Sequence, residues 1–138
     1  MAMKPAESPR DWALDPDLQA RREAVVREHM ESENRHDFAA TMATFAHPRY
    51  ELMASGQVFD GEDEVNEYFR ASRAAVPDQR NELVSMRSSD DAVIVELDLL
   101  GTPAKTGVPF RKRICALFVF EDGGDGIVCE RVYYDRAP

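Results

Sequence analysis

Residues 110–135 have the sequence FRKRICALFVF-EDGGDG-IVCERVYYD, which carries the strongest structural signal in the chain. The two outer segments are rich in β-branched and aromatic residues, and these residue types are enriched in strands. The six residues between them are glycines and acidic residues, which favour tight turns. The pattern therefore predicts an antiparallel hairpin whose strands cover 110–120 and 127–135 and whose turn lies near 122–125.

The register of this hairpin follows if Glu121 pairs with Gly126 across the turn. Cys129 then faces Phe118, and Cys115 lies three residue pairs further along. Because the two thiols are too far offset to form a disulfide, both cysteines are predicted to be free and buried. A slip of one residue across the glycine-rich turn is the alternative register.

Length and composition indicate one folded domain. The 138 residues are 43% hydrophobic and 31% charged, a balance typical of globular proteins. The net charge of −9 disfavours nucleic acid as a partner, because phosphate binding needs a cationic surface. Apolar runs are too short to span a membrane and an apolar signal core is missing, so a cytoplasmic location without membrane contact is expected. Residues 1–14 are predicted to be a tail, and the domain is placed at 15–138.

Three helices are predicted before most of the strands. Asp15 can cap the first helix, Pro16 is tolerated at its first position, and an apolar stripe at helical spacing follows. Asp37 can cap a second, shorter helix, and acidic residues from Glu62 onward favour the first turn of a third. Helices followed by antiparallel strands are typical of an α+β domain whose helices cover one face of the sheet. The predicted helices cover residues 15–34, 37–47 and 62–77, and the remaining predicted strands cover 50–53, 58–59, 82–87 and 92–100.

Several short strings carry a family resemblance: GQVF at 56–59, Gly61, Val65, Tyr68-Phe69, LGT at 100–102, FVFE at 118–121 and, most distinctively, ERVYYD at 130–135. Their order and spacing resemble the SnoaL-like polyketide cyclase group of the nuclear transport factor two-like superfamily. The resemblance implies a cone-shaped, cystatin-like α+β fold, in which a curved antiparallel sheet and three N-terminal helices enclose an apolar pocket. It also implies a homodimer formed through the sheet. It does not choose a reaction, because relatives include cyclases, isomerases, dehydratases and epoxide hydrolases.

The chain departs from two site patterns of these relatives. Steroid isomerases of the superfamily use two aspartates and a tyrosine, and the nearest positions here are Met53, Ala116 and His29, which disfavours that mechanism. Relatives that close polyketide rings often carry a histidine-containing string after the third-from-last strand, but TPAKTG at 102–107 lacks the histidine. The late acid/base aspartate of the cyclases does have a counterpart by position, Asp135.

The predicted register places one carboxylate, one phenol and a cation on a single apolar face. Directly paired residues project from the same face, so Asp135 faces Lys112, with Tyr133 and Arg131 beside it. Apolar surroundings raise the proton affinity of a carboxylate, and Tyr133 or Arg131 could stabilise a developing oxyanion. We expect Asp135 to be the catalytic base, and the alternative is a structural ion pair between Asp135 and Arg131. The expected ligand-binding residues are Tyr50, Phe69, Ile114, Phe118 and Lys112.

Three other residues receive lesser roles. Glu130 and Tyr134 alternate with the predicted site residues and are expected to point away, toward solvent or a partner subunit. His29 lies on the helix that relatives use to line the pocket, so it is a candidate acid/base group, with a packed, satisfied histidine as the alternative. No spacing of histidine, cysteine or carboxylate matches a metal site, and no catalytic serine or cysteine motif is present.

The sequence supports three hypotheses of function. The first is an enzyme without cofactor or metal that cyclises, isomerises or dehydrates a small hydrophobic, polyketide-like carbonyl compound by acid/base chemistry. Its catalytic residues are Asp135, Tyr133, Arg131 and His29. The second is a non-catalytic module that binds an apolar ligand in the same cavity. The third is a dimeric interaction domain whose cavity is filled by side chains.

Overall fold

The computed structural model describes residues 14–135, which form three helices and six strands. The predicted tail at 1–14 therefore lies almost wholly outside the described residues, and so do residues 136–138 of the predicted domain. The helices are α1 (Pro16–Asn34), α2 (Phe38–Met42) and α3 (Glu62–Ala75). The strands are β1 (Arg49–Leu52), β2 (Gln57–Asp60), β3 (Arg80–Ser88), β4 (Ala92–Gly101), β5 (Phe110–Phe120) and β6 (Ile127–Tyr133).

The helices begin at the predicted capping residues. The Asp15 carboxylate accepts a hydrogen bond from Asp17 N at 3.0 Å, and the Asp37 carboxylate accepts one from Ala40 N at 3.2 Å. These bonds satisfy backbone donors that have no partner inside the helix. Within residues 14–135, no helix is both long enough and apolar enough to cross a membrane.

The strands form one sheet in the order β2-β1-β6-β5-β4-β3. Four of the five neighbouring pairs are antiparallel as predicted, whereas β1 and β6 run parallel. The apolar stripe of α1 packs on one face, which we call the inner face, and the predicted α+β class is confirmed. Cys115 and Cys129 are free thiols as predicted, the first half-buried and the second buried. The main core consists of Val26, Met30, Val93, Val95, Leu97, Ile114, Ala116, Phe118, Phe120 and Ile127.

The last hairpin keeps the predicted register only near its turn. Phe120 lies opposite Ile127, as that register requires. Beyond this pair β6 contains one extra residue, Val128, which forms a β-bulge and shifts every later pair by one. The pairs predicted by the first register are therefore wrong from Cys129 onward. These pairs instead show the one-residue shift of the alternative register, so that Phe118 faces Glu130.

The bulge has a physical cause in the segment that follows α2. Ile127 N donates to Thr44 O at 3.1 Å, and Ile127 O accepts from Ala46 N at 2.8 Å and from His47 N at 3.2 Å. These hydrogen bonds hold Ile127 against that segment, so β6 rejoins the regular ladder with β5 only after one further residue.

The shift exchanges the two faces of β6, because side chains alternate along a strand. Glu130 is 6% exposed and lies on the inner face, so the expectation that it points away is wrong. Tyr134 likewise packs against the inner core instead of pointing away from it. Arg131 and Tyr133 lie on the outer face, where Tyr133 is 43% exposed.

Candidate functional site

Four polar side chains meet between α1 and the inner face of the sheet. His29 and Glu33 lie one turn apart on α1, which places them on one side of the helix. Tyr50 of β1 and Glu130 of β6 are direct partners in the parallel pair, so their side chains project next to each other. His29 is fully buried, and Tyr50 and Glu130 are almost so. We call these four residues the buried cluster.

Hydrogen bonds fix the protons of the buried cluster. His29 Nδ1 lies 2.8 Å from Thr44 Oγ1, and the Thr44 hydroxyl donates to Thr41 O at 2.6 Å, so Nδ1 is the donor to Thr44. The Tyr50 hydroxyl donates to Glu33 Oε1 at 2.7 Å. Its oxygen lies 3.0 Å from His29 Nε2, which also lies 3.2 Å from Glu33 Oε1, so Nε2 carries a proton too. The arrangement is that of an imidazolium and a carboxylate.

The pKa values of this pair support the same assignment. Burial by itself lowers the pKa of His29, but the hydrogen bond and charge of Glu33 outweigh burial and raise the pKa above its ordinary value. Burial by itself raises the pKa of Glu33, but His29 and the charge of Arg73 hold it below its ordinary value. The ionised form of the pair is therefore favoured.

Glu130 is the protonated member of the buried cluster. Burial raises the pKa of its carboxyl group to about 8, with the charge of His29 opposing the rise and that of Glu33 adding to it. Glu130 Oε1 lies 3.7 Å from His29 Nε2, which is too far for a hydrogen bond. Burial, together with the charges of both carboxyl groups, also raises the pKa of Tyr50 well above its ordinary value. Near neutral pH the cluster thus contains one carboxylate and one carboxylic acid.

The buried cluster opens onto a cavity of about 70 Å³ between α1, α3 and the sheet. Glu33, Tyr50 and Glu130 line this cavity, and Arg73 of α3 adds a cation to its wall. Such a volume accommodates a few water molecules or a small organic group. The remaining lining residues are the apolar and neutral polar side chains Met30, Tyr68, Phe69, Gln79, Asn81, Leu97, Leu99, Ile114, Ala116 and Val132.

Of the four predicted catalytic residues, only His29 lies in the buried cluster. Arg131 lies on the outer face, where its Nε donates to Glu51 Oε1 at 2.7 Å. Tyr133 and Asp135 are exposed and line an open depression of about 610 Å³ outside the cavity. The structure therefore does not bring the expected constellation together, because the bulge turns Arg131 and Tyr133 away from the inner face.

The predicted ligand-binding residues also divide. Phe118 packs edge-on against His29, with ring centroids 5.1 Å apart, and so supports the cluster from behind the cavity wall. Lys112 Nζ lies 5.2 Å from the centroid of the Tyr134 ring. The predicted residues that do line the cavity are Tyr50, Phe69 and Ile114.

Sequence reasoning misses the two carboxyl groups of the buried cluster. The sequence could have indicated Glu33, because it lies one helical turn after the candidate residue His29. The sequence does not indicate Glu130, because the orientation of its side chain depends on the bulge. Together with His29 they place three potential ligand atoms within 4.8 Å of one another, and a divalent cation held there would require loss of the proton on His29 Nε2.

The chain is similar to known proteins in both sequence and fold. The profile of a family described as SnoaL-like domain matches residues 26–127, and no curated protein matches the chain. A solved NTF2-like protein of unknown function from Burkholderia pseudomallei is 20% identical, with a TM-score of 0.75 and coverage of 83% of this chain and 91% of that one. IdmH, a putative polyketide cyclase from Streptomyces antibioticus, is 17% identical, with a TM-score of 0.69 and coverage of 83% and 91%. SalBIII, described as an epoxide hydrolase/cyclase-like enzyme in pyran ring formation in the polyether salinomycin, is 20% identical, with a TM-score of 0.73 and coverage of 85% and 92%.

At these identities the likeness to solved structures establishes the fold. The predicted nuclear transport factor two-like, cystatin-like fold is confirmed, with a curved sheet that is open and mostly antiparallel.

Proposed function

Because the chain belongs to the SnoaL-like domain family, as the resemblance implied, we propose that it is an acid/base enzyme acting on a small hydrophobic carbonyl compound. Ring-forming chemistry appears in the descriptions of the structural relatives SalBIII and IdmH. The proposal keeps the reaction class inferred from the sequence, namely cyclisation, isomerisation or dehydration. It changes the residues, from Asp135 on the surface to Glu33 and Glu130 in the cavity.

One observation carries the proposal: the cavity is lined by two carboxyl groups whose pKa values are shifted in opposite directions by their surroundings. Burial raises the pKa of Glu130 to about 8, whereas His29 holds the pKa of Glu33 below its ordinary value in spite of burial. Two carboxyl groups whose pKa values are driven apart can serve as acid and base at one pH. Both groups line the same small cavity, so one substrate can contact both.

In the proposed reaction Glu33 takes a proton from the carbon next to the carbonyl group of the substrate. The electron pair of that C–H bond forms the C=C bond of an enol, and the carbonyl oxygen takes up the proton of Glu130. His29 stays protonated and orients the Glu33 carboxylate. In each of the three reactions Glu130 takes back the enol proton as the carbonyl group re-forms. Where the enol is a conjugated dienol, delivery of the Glu33 proton to its far carbon completes an isomerisation. Attack of the enol carbon on a second carbonyl group, whose oxygen takes the Glu33 proton, closes a ring. Loss of a hydroxyl group from the carbon next to the enol, as water formed with the Glu33 proton, completes a dehydration.

Exchange of substrate protons for deuterium tests the proposal without knowledge of the natural substrate. In D₂O, proton NMR follows the loss of α-protons from 2-butanone and cyclohexanone. Glu33→Gln should abolish the exchange that depends on the protein, because the base is lost. Glu130→Gln should slow it by about 10²- to 10⁴-fold, the typical contribution of one general acid. Asp135→Asn is the control and should exchange at the wild-type rate.

Three outcomes of this experiment would contradict or change the proposed function. Wild-type exchange in Glu130→Gln, with loss in Asp135→Asn, would contradict the proposal and favour the exposed aspartate. Binding of both ketones without any exchange would favour the non-catalytic binding module. A buried cluster whose members hydrogen-bond to one another is also compatible with that function. Loss of exchange on addition of EDTA would show that a cation held by His29, Glu33 and Glu130 takes part.

A further inference from the structure

Arg73, near the C-terminal end of α3, has a guanidinium group that is only partly hydrogen-bonded within residues 14–135. Its Nε is buried and has no hydrogen-bond partner within residues 14–135. Its Nη1 donates to the adjacent Ser72 Oγ at 3.1 Å, and its Cζ lies 5.2 Å from the centroid of the Phe38 ring. The residue lines the same cavity as the buried cluster. A guanidinium donor without an acceptor therefore lies at the wall of a ligand-sized space.

A buried, charged donor without a partner is unfavourable, and proteins normally satisfy such groups. The two carboxyl groups at this cavity do not form an ion pair with Arg73. Oε1 of Glu33 is engaged by His29 and Tyr50 at hydrogen-bonding distance. Oε1 of Glu130 lies 3.7 Å from His29 Nε2, and no ion pair joins it to Arg73 within residues 14–135. The remaining acceptor is whatever enters the cavity.

The charges of the cavity point to the sign of that ligand. An arginine guanidinium is always charged, and the buried Nε of Arg73 has no hydrogen-bond acceptor within residues 14–135. A charged donor that is removed from water without a counter-charge is unfavourable. A ligand that carries one negative charge supplies the missing counter-charge.

We propose that Arg73 binds the carboxylate of the ligand, so that the substrates of this site are small oxo carboxylates. The planar guanidinium donates two parallel hydrogen bonds to a carboxylate, a geometry that suits this anion better than a point charge would. The amide side chains of Gln79 and Asn81 line the same cavity and offer neutral donors. A cavity of about 70 Å³ restricts the acid to a short chain. The carbonyl group of the acid would then lie within the space that Glu33 and Glu130 also line.

This inference rests on the proposed function only where it calls the ligand a substrate, because binding requires no turnover. Isothermal titration calorimetry would compare 2-oxobutanoate with 2-oxobutanamide, which has the same shape without the charge. Wild-type protein should bind the acid about ten- to a hundredfold more tightly than the amide, the range expected for hydrogen bonds between charged groups. Arg73→Met should lose that preference and leave the affinity for the amide unchanged.

Two further variants make the result decisive. Arg73→Lys keeps the positive charge but loses the two parallel hydrogen bonds of the guanidinium group, so it should retain part of the preference for the acid over the amide. This variant serves as the test if Arg73→Met does not fold. Arg70→Met removes an exposed arginine from the same helix and should bind both compounds like the wild type. Equal affinity of the wild type for acid and amide, or an undiminished preference in Arg73→Met, would overturn the inference. Glu130→Gln should still prefer the acid while its α-proton exchange is slowed, which separates this inference from the proposed chemistry.

Discussion

Glu130 links the chemistry of the cavity to the stability of the fold. Its pKa rises from 4.5 to about 8 on folding, so between these pH values the folded chain holds a proton that the unfolded chain releases. The free energy of unfolding therefore falls as pH rises through this window. His29 acts in the same direction, because its raised pKa gives stability that is present below pH 6.5 and lost as pH rises through the folded value. Glu33 acts oppositely, and its contribution is lost only as pH falls below 4.5.

Replacement of Glu130 by glutamine should flatten this pH dependence. Urea unfolding followed by circular dichroism should show wild-type protein losing on the order of 2 kcal/mol between pH 6 and pH 9. Glu130→Gln should lose clearly less, since only His29 still titrates in that window. Glu62→Gln removes an exposed glutamate from the first turn of α3 and should follow the wild-type curve. Parallel curves for wild type and Glu130→Gln would mean that Glu130 is not a buried acid.

Among the elements, α1 stabilises the fold through a buried charged side chain as well as through its apolar stripe. Its Arg22 is 2% exposed and reaches two turns of the sheet. Nε donates to Gly124 O at 2.7 Å, Nη1 to Asp90 O at 3.0 Å and Nη2 to Glu121 O at 3.2 Å. One side chain thus ties the helix to the β3/β4 turn and to the β5/β6 turn.

Arg22→Met should destabilise the protein by about 2–4 kcal/mol, because three hydrogen bonds from a buried side chain to carbonyl groups are lost and the methionine replaces only the apolar stem. The free energy of unfolding in urea measures this change. Arg21→Met is the matched control, because Arg21 is adjacent in the sequence but exposed. Its one ion pair among the described residues is long, with Nε 3.8 Å from Asp125 Oδ2. Equal effects of the two variants would show that Arg22 does not join the elements.

Most elements could be predicted from local patterns. Capping aspartates mark the starts of α1 and α2, and alternation marks β4 and β5 within one residue of their observed ends. Arg22 shows the limit of this reasoning, because a charged residue within an amphipathic pattern is assigned to the exposed face. Its partners are backbone carbonyl groups of distant turns, and the residue types in those turns do not indicate that these groups accept hydrogen bonds from Arg22.

At the scale of the whole molecule, the site could be predicted only in part. The family resemblance points to His29, because relatives line the pocket with that helix. Local periodicity places Tyr50, Phe69 and Ile114 on apolar faces. Asp135, Tyr133 and Arg131 were assigned to the wrong face because the bulge at Val128 is set by hydrogen bonds from Ile127 to the segment after α2. The parallel pairing of β1 with β6, which puts Tyr50 beside Glu130, is equally non-local.

We expect the folded domain to keep one neutral carboxylic acid beside an ionised pair. Carbon-13 NMR titration of the glutamate side-chain carboxyl groups tests this expectation most directly, with the Glu130 signal assigned by its absence in Glu130→Gln. Glu130 should titrate with a pKa of about 8, and the pKa of Glu33 should lie below its ordinary value. A Glu130 signal that titrates at its ordinary value of 4.5 would contradict it.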